Sequence, residues 1–142
     1  MGGAHKFCLL FSLTLLMISF AGCRKVSHNG AIDGNWQILS IENRATGEVE
    51  TVDNPRFYAI GLHVVNLTYG YTQGGSKTAN MVYDKENATI TLDFPYADLN
   101  SDPGALTPWG IYTNPVTLTV LTANSSTLVM QTPETIITCR KF

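Results

Sequence analysis

Residues 98–104 carry the strongest hint of metal chemistry in this sequence. The order Asp-Leu-Asn-Ser-Asp-Pro-Gly alternates oxygen-bearing side chains with other residues, as a calcium-binding loop does. The glycine falls one place late, however, and Trp109 stands where such a loop needs a bidentate glutamate. We therefore favour a turn-rich loop stabilised by Asx side chains over a calcium site.

Histidine and cysteine offer no catalytic arrangement that the sequence can identify. His63 is the only histidine in the part of the chain predicted to fold, and a metal site or a Ser-His relay would need specific partners beside it. A histidine in the core or in a cavity wall is favoured instead. Cys139 lies in an apolar strand and is predicted to be a small buried hydrophobe. We predict no catalytic residue, metal or cofactor, and an enzyme is the least favoured function class.

The N-terminal segment has the layout of a secretion signal. Lys6 precedes an uncharged apolar stretch at residues 8–20. A membrane-spanning helix needs about 20 such residues, whereas the apolar part of a signal peptide runs to roughly 7–15. Small residues and Cys23 follow the stretch. The sequence therefore predicts a signal peptide over residues 1–22.

The end of this segment, Phe-Ala-Gly-Cys at residues 20–23, resembles the lipobox of bacterial lipoproteins, with Phe20 where leucine is usual. The resemblance implies that the Cys23 thiol receives a diacylglyceryl group and that cleavage leaves Cys23 as the new N-terminus. Two or three acyl chains would hold the protein firmly, because one chain alone binds a membrane only marginally. Secretion with Cys23 unmodified is the alternative.

Residues 23–32 are polar and aperiodic, which predicts a short tether. In the Bacteroides-type lipoproteins that this region resembles, acidic residues just after the lipidated cysteine direct export to the cell surface. Arg24 and Lys25 occupy those positions here. The resemblance therefore implies a cell-envelope protein anchored to the outer membrane, with the periplasmic face favoured over the cell surface.

Composition bounds the folded part. The chain has 142 residues with 9 Lys plus Arg, 11 Asp plus Glu and a formal charge of -2, so it lacks the basic balance of a nucleic-acid-binding protein. Hydrophobic residues make up 44%, which excludes a disordered chain. Once residues 1–22 are removed and Cys23 is acylated, Cys139 is the only free cysteine, so no internal disulfide is expected.

The remaining sequence has the pattern of short β-strands joined by turns. No stretch holds a 3.6-residue period over ten or more positions. Strands are predicted at residues 34–42, 48–52, 57–69, 78–83, 88–94, 109–112, 116–121, 127–131 and 135–142, with a long connection at 95–108. Alternation in the first strand places Trp36 and Ile38 on one face and Leu39 and Ile41 on the other. Gly61 suggests a bend or bulge within the longest strand.

About eight short strands in sequential hairpins predict an all-β fold, a single antiparallel up-and-down barrel that is closed or partly open. A β-sandwich is the runner-up. Gly34-x-Trp36 at the start of the first strand resembles the lipocalin signature, in which the tryptophan closes one end of an eight-stranded barrel. In lipocalins a basic residue late in the last strand packs over that ring, and the resemblance gives this role to Arg140, with Lys141 as the alternative.

The mature chain as a whole is similar to the short lipocalin-like lipoproteins of Bacteroides-type bacteria. The matching pieces are residues 33–38, 57–58, 61–67, 109–111 and 128–130. The resemblance implies a lipocalin-like domain over residues 33–142 that holds a ligand cavity. The function of that family is largely undetermined, so the resemblance names no ligand.

Aromatic side chains are the remaining candidates for ligand contact. Those near loops or predicted strand ends are Tyr69, Tyr71, Tyr83, Phe94, Tyr96, Trp109 and Tyr112. The rim of a small barrel is where a ligand would enter, so these residues, together with His63, are candidate cavity or rim groups. Capping of the core is the alternative, and it is favoured for any single aromatic residue.

Two functions remain open. The first is a membrane-anchored, non-enzymatic barrel that binds a small apolar or amphipathic ligand in or at its mouth, stabilised by burial of about 25 cal/mol per Å² of apolar surface. The alternative is a barrel filled by its own side chains, which binds another envelope protein through its loops, above all residues 95–108. That protein partner is not identified, and the two functions differ in whether the interior is open.

Overall fold

A computed structural model describes residues 27–70 and 75–142, so the predicted signal peptide and Cys23 lie outside the described residues, as does Tyr71. The strands are β1 (Gly34–Asn43), β2 (Val49–Thr51), β3 (Arg56–Gly61), β4 (Val64–Tyr69), β5 (Lys77–Asp84), β6 (Thr89–Asp93), β7 (Val116–Ala123), β8 (Thr127–Gln131) and β9 (Thr135–Lys141). Two short 3₁₀ helices span Gly30–Ile32 and Thr107–Trp109. Within the described ranges, no helix is both long and apolar enough to cross a bilayer.

The strands close into one antiparallel barrel. The order β1-β3-β4-β5-β6-β7-β8-β9 is completed by pairing of β9 with β1, which leaves no open edge in the ring. The short β2 pairs with the far half of β1, from Ser40 to Glu42, and is an extra strand outside the ring. The predicted eight-stranded up-and-down barrel is therefore confirmed in its closed form.

Two predicted strands are wrong. Residues 57–69 are not one strand but the β3–β4 hairpin, which reverses at Leu62 and His63. Leu62 adopts a left-handed backbone with φ of 54°, a conformation that leucine rarely takes, so no turn residue marks the reversal. Residues 109–112 do not form a strand either, since a 3₁₀ helix ends at Trp109 and the chain remains irregular up to β7.

A β-bulge in β1 changes which side chains face inward. The register between β1 and β9 shifts between Ile38 and Ser40, so Leu39 is an extra residue on the β1 side. Ile41 therefore turns inward and is buried, like Trp36 and Ile38, while Leu39 is 40% exposed. Leu39 faces outward as the predicted alternation requires, but the inward turn of Ile41 makes that alternation wrong for the residues after Leu39.

The interior of the barrel is packed with its own side chains. Inward-facing residues from the strands form a single hydrophobic cluster, whose largest fully buried members include Trp36, Tyr58, Leu67, Ile90 and Leu118. Protein interiors packed in this way leave few voids larger than a water molecule. The core therefore occupies the space where a ligand would lie in a hollow barrel.

The two ends of the barrel differ. The N-terminal end is the one where β1 begins, and the β3–β4, β5–β6 and β7–β8 turns and Lys141 lie there because the strands alternate in direction. The opposite end carries the β8–β9 turn and the long connection at residues 94–115. This connection is the least regular part of the described chain.

Residues 106–111 of that connection form a plug over the opposite end. Leu106, Trp109 and Ile111 are fully buried in the core cluster. The Tyr58 hydroxyl donates to the Trp109 carbonyl at 2.6 Å, and the Thr135 hydroxyl donates to the Gly110 carbonyl at 2.7 Å. The Trp109 indole N–H is buried and has no hydrogen-bond partner among the described residues. Such an orphan donor costs about 1–3 kcal/mol.

Cys139 is fully buried in β9, and this burial raises the pKa of its thiol to about 12. Since only the thiolate reacts, a chain beginning at residue 24, in which Cys139 is the single cysteine, should resist iodoacetamide at pH 8 in its native state. Mass spectrometry should show complete alkylation only after denaturation. Native labelling as fast as that of the denatured chain would contradict this burial.

Candidate functional site

A groove of about 850 Å³ lies at the N-terminal end, outside the packed interior. Its walls come from four places in the chain: residues 27–34, residues 60–62 at the end of β3, residues 124–125 in the β7–β8 turn, and Lys141. Closure of the barrel brings these segments together, although Ser27 and Lys141 are 114 positions apart in the sequence. A site of this kind is set by the fold rather than by a local motif.

Asp33 fixes the segment that forms the first wall of the groove. Its carboxylate accepts the Asn29 side-chain amide at 2.7 Å, the Asn29 backbone N–H at 2.9 Å and the Ser27 hydroxyl at 3.0 Å. Partial burial alone would raise the pKa of Asp33, but these bonds from Asn29 and Ser27 together hold that pKa below its ordinary value. The charged form of Asp33 is therefore the one that organises residues 27–33.

Asn29 ties this segment to the opposite wall. It is 6% exposed, and its side-chain amide also donates to the Leu62 carbonyl at 2.9 Å. Nearby, the rings of His28 and His63 meet edge to face with centroids 4.9 Å apart. The segment predicted as a loose tether is thus part of the folded structure from Ser27 onward.

Trp36 closes the barrel beneath the groove. Its indole N–H donates to the Ile32 carbonyl at 2.7 Å, and both side chains are fully buried. The Lys141 ammonium lies 4.3 Å from the centroid of the Trp36 ring and donates to the Asp33 carbonyl. Gly34 leaves room for this ammonium, since a Cβ at that position would stand 2.1 Å from the Lys141 nitrogen.

The residue over Trp36 is therefore Lys141 and not Arg140. In the β1–β9 register Lys141 stands opposite Trp36, whereas Arg140 stands opposite Gln37 and points outward. The Arg140 guanidinium donates to the Gln37 side-chain carbonyl at 2.9 and 3.1 Å. Neighbouring positions in a strand face opposite sides, so only one of the two cations can reach the ring.

The lining of the groove is amphipathic. Ala31, Ile60 and Leu62 supply apolar surface, His28 and Lys141 supply polar groups that can meet an anion, and the Asp33 carboxylate also lines the groove. Gly61 leaves backbone open to the groove, since a Cβ built there would meet nothing within 4 Å. A ligand could therefore lie against backbone on one side and aliphatic carbon on the other.

A family model described as a lipocalin-like domain matches residues 16–142. The chain belongs to the lipocalin-like domain family. Comparison with curated proteins finds no match.

Two solved structures share the fold of this lipocalin-like protein. A lipocalin-like protein from Bacteroides uniformis is 26% identical with a TM-score of 0.61, and the match covers 80% of this chain and 100% of that one. An uncharacterized protein from Bacteroides eggerthii is 17% identical with a TM-score of 0.58, and the match covers 78% of this chain and 98% of that one. The second shows the fold alone.

The predicted rim aromatics do not gather around one opening of the lipocalin-like barrel. Phe94 and Trp109 are buried in the core at the opposite end, and the Tyr69 ring lies 4.8 Å from that of Trp109. Tyr83 is half-buried against the core, Tyr112 is 47% exposed, and Tyr96 is 94% exposed. Phe94, Trp109, Tyr69 and Tyr83 pack in or against the core, as the alternative interpretation held, whereas Tyr96 and Tyr112 face solvent, which neither interpretation predicted.

His63 is not in the core or in a cavity wall. It is exposed in the β3–β4 turn, because the chain reverses where a continuous strand was predicted. Sequence reasoning also missed the groove residues Ser27, His28 and Asp33, which lie in the predicted tether or at its border. The one available signal was the polar Ser-His-Asn-Gly run directly before Gly34-x-Trp36.

The acidic loop at residues 98–104 has the Asx geometry that was favoured over calcium. The Asp98 carboxylate accepts the Asn100 backbone N–H at 3.0 Å and the Ser101 hydroxyl at 2.6 Å. Across residues 27–70 and 75–142, no three His, Cys, Asp or Glu side chains come together as a metal-binding group.

Proposed function

We propose that this lipocalin-like protein is a lipid-anchored binding protein of the bacterial cell envelope, without enzymatic activity, that captures a small amphipathic ligand in the N-terminal groove. The observation that carries this proposal is the groove of about 850 Å³, whose walls combine apolar side chains with the Lys141 ammonium and the Asp33 carboxylate. Ligand sites are concave, mostly apolar and oriented by a few polar groups. The anchor at Cys23 and the outer-membrane location, periplasmic side, belong to the same proposal.

The groove is favoured over the barrel interior because the interior is full. The core cluster and the plug at residues 106–111 occupy the space that an internal ligand would need. Lys141 retains donors beyond its bond to Asp33, since an ammonium has three N–H groups. An anionic head group at Lys141 and an apolar tail along Ile60 and Leu62 would satisfy both kinds of wall.

Protein binding through residues 95–108 is the second candidate. The filled core and the 94% exposure of Tyr96 favour it, since a large aromatic side chain in solvent is a common anchor at interfaces. Protein binding through these residues does not require a ligand in the groove. A substitution that fills the groove should therefore abolish ligand capture and leave protein binding unchanged.

Filling the groove should abolish ligand capture and leave the fold intact. Gly61→Leu adds a side chain where nothing lies within 4 Å of the new Cβ, so it occupies the groove without a clash. Gly75→Leu is the matched control, because its Cβ also meets nothing and it lies outside the groove. We expect native mass spectrometry to show a bound amphiphile on the wild type and on Gly75→Leu, and none on Gly61→Leu.

A series of linear alkyl carboxylates gives the binding measurement. Each added methylene should strengthen binding about fourfold until the groove is full, from about 0.8 kcal/mol per buried methylene. Gly61→Leu should flatten this dependence on chain length. Equal binding to Gly61→Leu and wild type, or no binding to either, would contradict the groove as the site and favour protein binding through residues 95–108.

A further inference from the structure

We infer that the N-terminal end of the barrel docks on an anionic lipid bilayer, so that the groove faces the lipid surface and the plug points away. This inference rests on the proposed acyl anchor at Cys23, and it goes beyond ligand capture. Ser27 lines the groove and follows Cys23 by four residues. Four residues span at most about 14 Å, so an anchor at Cys23 keeps this end close to the bilayer.

An exposed apolar patch lies beside the groove at the same end. Leu62 is 65% exposed, Val64 38% and Val82 68%. They are neighbours, because Val64 pairs with Asn80 two residues before Val82, and the Met81 N–H donates to the His63 carbonyl at 2.7 Å. Three adjacent aliphatic side chains in water are more stable when another surface covers them.

Cations border this patch. The Lys85 ammonium, in the β5–β6 turn, donates to the His28 carbonyl at 3.3 Å, and Lys141 lies across the groove. Three carboxylates also lie at this end: Asp33 accepts from Asn29 and Ser27, Asp84 accepts the Asn87 side-chain amide at 2.7 Å, and Glu86 is exposed beside Lys85. Lys85 and Lys141 are both exposed, so their ammonium groups can meet lipid phosphates.

The opposite end is more acidic than the N-terminal end. Exposed carboxylates there are Glu48, Asp53, Asp98 and Asp102. Arg56 is paired with Glu50, and Arg44 donates to the Thr132 and Pro133 carbonyls. An anionic surface attracts basic groups and repels acidic ones within about a Debye length, so it favours contact through the N-terminal end.

The test measures which end of the anchored protein contacts lipid. Full-length chain is expressed with its own signal, and intact mass reports acylation. A fluorophore is attached at Val82→Cys or at Val49→Cys, a matched valine that is 57% exposed in β2 at the opposite end. Vesicles of phosphatidylcholine, with and without phosphatidylglycerol, carry a spin-labelled lipid as quencher. We expect strong quenching at position 82, increased by phosphatidylglycerol, and little at position 49.

Two variants distinguish docking from simple tethering. Lys85→Gln should lower the docked-to-undocked ratio about fivefold in phosphatidylglycerol vesicles, the effect of one basic residue at an anionic surface. Leu62→Glu should lower it further, and Lys77→Gln at the opposite end should leave it unchanged. Equal quenching at positions 82 and 49, or quenching at 82 that neither variant reduces, would overturn docking.

An unacylated mass would overturn the anchor and the docking with it. Crosslinking of position 82 to an envelope protein would mean that a protein covers the patch in place of lipid. That result would also overturn docking on the bilayer. Ligand capture is read separately from the Gly61→Leu comparison, so each proposal fails on its own observation.

Discussion

Replacing Trp36 by phenylalanine is expected to lower the free energy of unfolding by about 2–4 kcal/mol, and the same change at Trp109 by about 1–3 kcal/mol less. Both indoles are fully buried, so each loses a similar volume. The Trp36 variant also leaves the Ile32 carbonyl without its donor and weakens the contact with the Lys141 ammonium. The Trp109 variant loses only a buried N–H that has no partner among the described residues.

Urea unfolding followed by circular dichroism measures both changes. Tyr96→Phe is the control, because Tyr96 is 94% exposed and its substitution should shift the midpoint very little. Equal losses for the two tryptophan variants would mean that the Trp109 N–H has a partner, such as a buried water, and would contradict the orphan donor.

The barrel itself could be predicted because its strands carry local signals. The β5–β6 hairpin has good alternation in β6 and a polar turn predicted at residues 84–87, and the structure has both, with the turn between Asp84 and Thr89. Gly34 before Trp36 also has a physical meaning, since its φ of 136° favours glycine and a Cβ there would displace the Lys141 ammonium. Where alternation, turn residues and a close approach agree, sequence determines structure.

The errors occurred where local signals were silent or misleading. The β3–β4 turn places leucine in a left-handed conformation, and apolar residues on both faces hide the reversal. The bulge at Leu39 moves every later β1 side chain to the other face. Whether Arg140 or Lys141 meets Trp36 depends on the β1–β9 register, which is a long-range property that no single strand reveals.

The groove could not be predicted for a related reason. Its walls are brought together only when the ring closes, and its organising residue, Asp33, looks in sequence like an ordinary polar residue before a strand. The predicted cavity aromatics, in contrast, contribute to packing and to the plug. Aromatic residues near strand ends report burial as readily as ligand contact.

The plug over the full interior of this lipocalin-like barrel is held separately from the side chain that fills the core. Its plug is held through backbone oxygens: Tyr58 donates to the Trp109 carbonyl, Thr135 to the Gly110 carbonyl and Arg56 to the Pro108 carbonyl. The side chain of Trp109 occupies the space beneath these bonds without making one. Removing the Trp109 side chain should therefore leave the hydrogen bonds to the plug backbone in place.

Trp109→Ala is accordingly expected to cost about 3–5 kcal/mol and to leave an apolar cavity beneath an intact plug. Added indole should fill this cavity and raise the thermal midpoint, with about 2.7 kcal/mol regained at a concentration 100 times its Kd. Wild type and Tyr96→Ala should show no such rescue. The gain is measured by thermal denaturation with and without indole.

Rescue by indole would show that the plug backbone holds without its tryptophan and that the wild-type interior excludes ligands only because Trp109 fills it. This would leave the N-terminal groove as the place where the native chain can take up a molecule without losing core packing. A folded Trp109→Ala variant that indole does not stabilise would mean that the plug collapses into the vacated space. In that case the three side-chain hydrogen bonds to the plug carbonyls depend on the indole, and the plug and core form one cooperative unit.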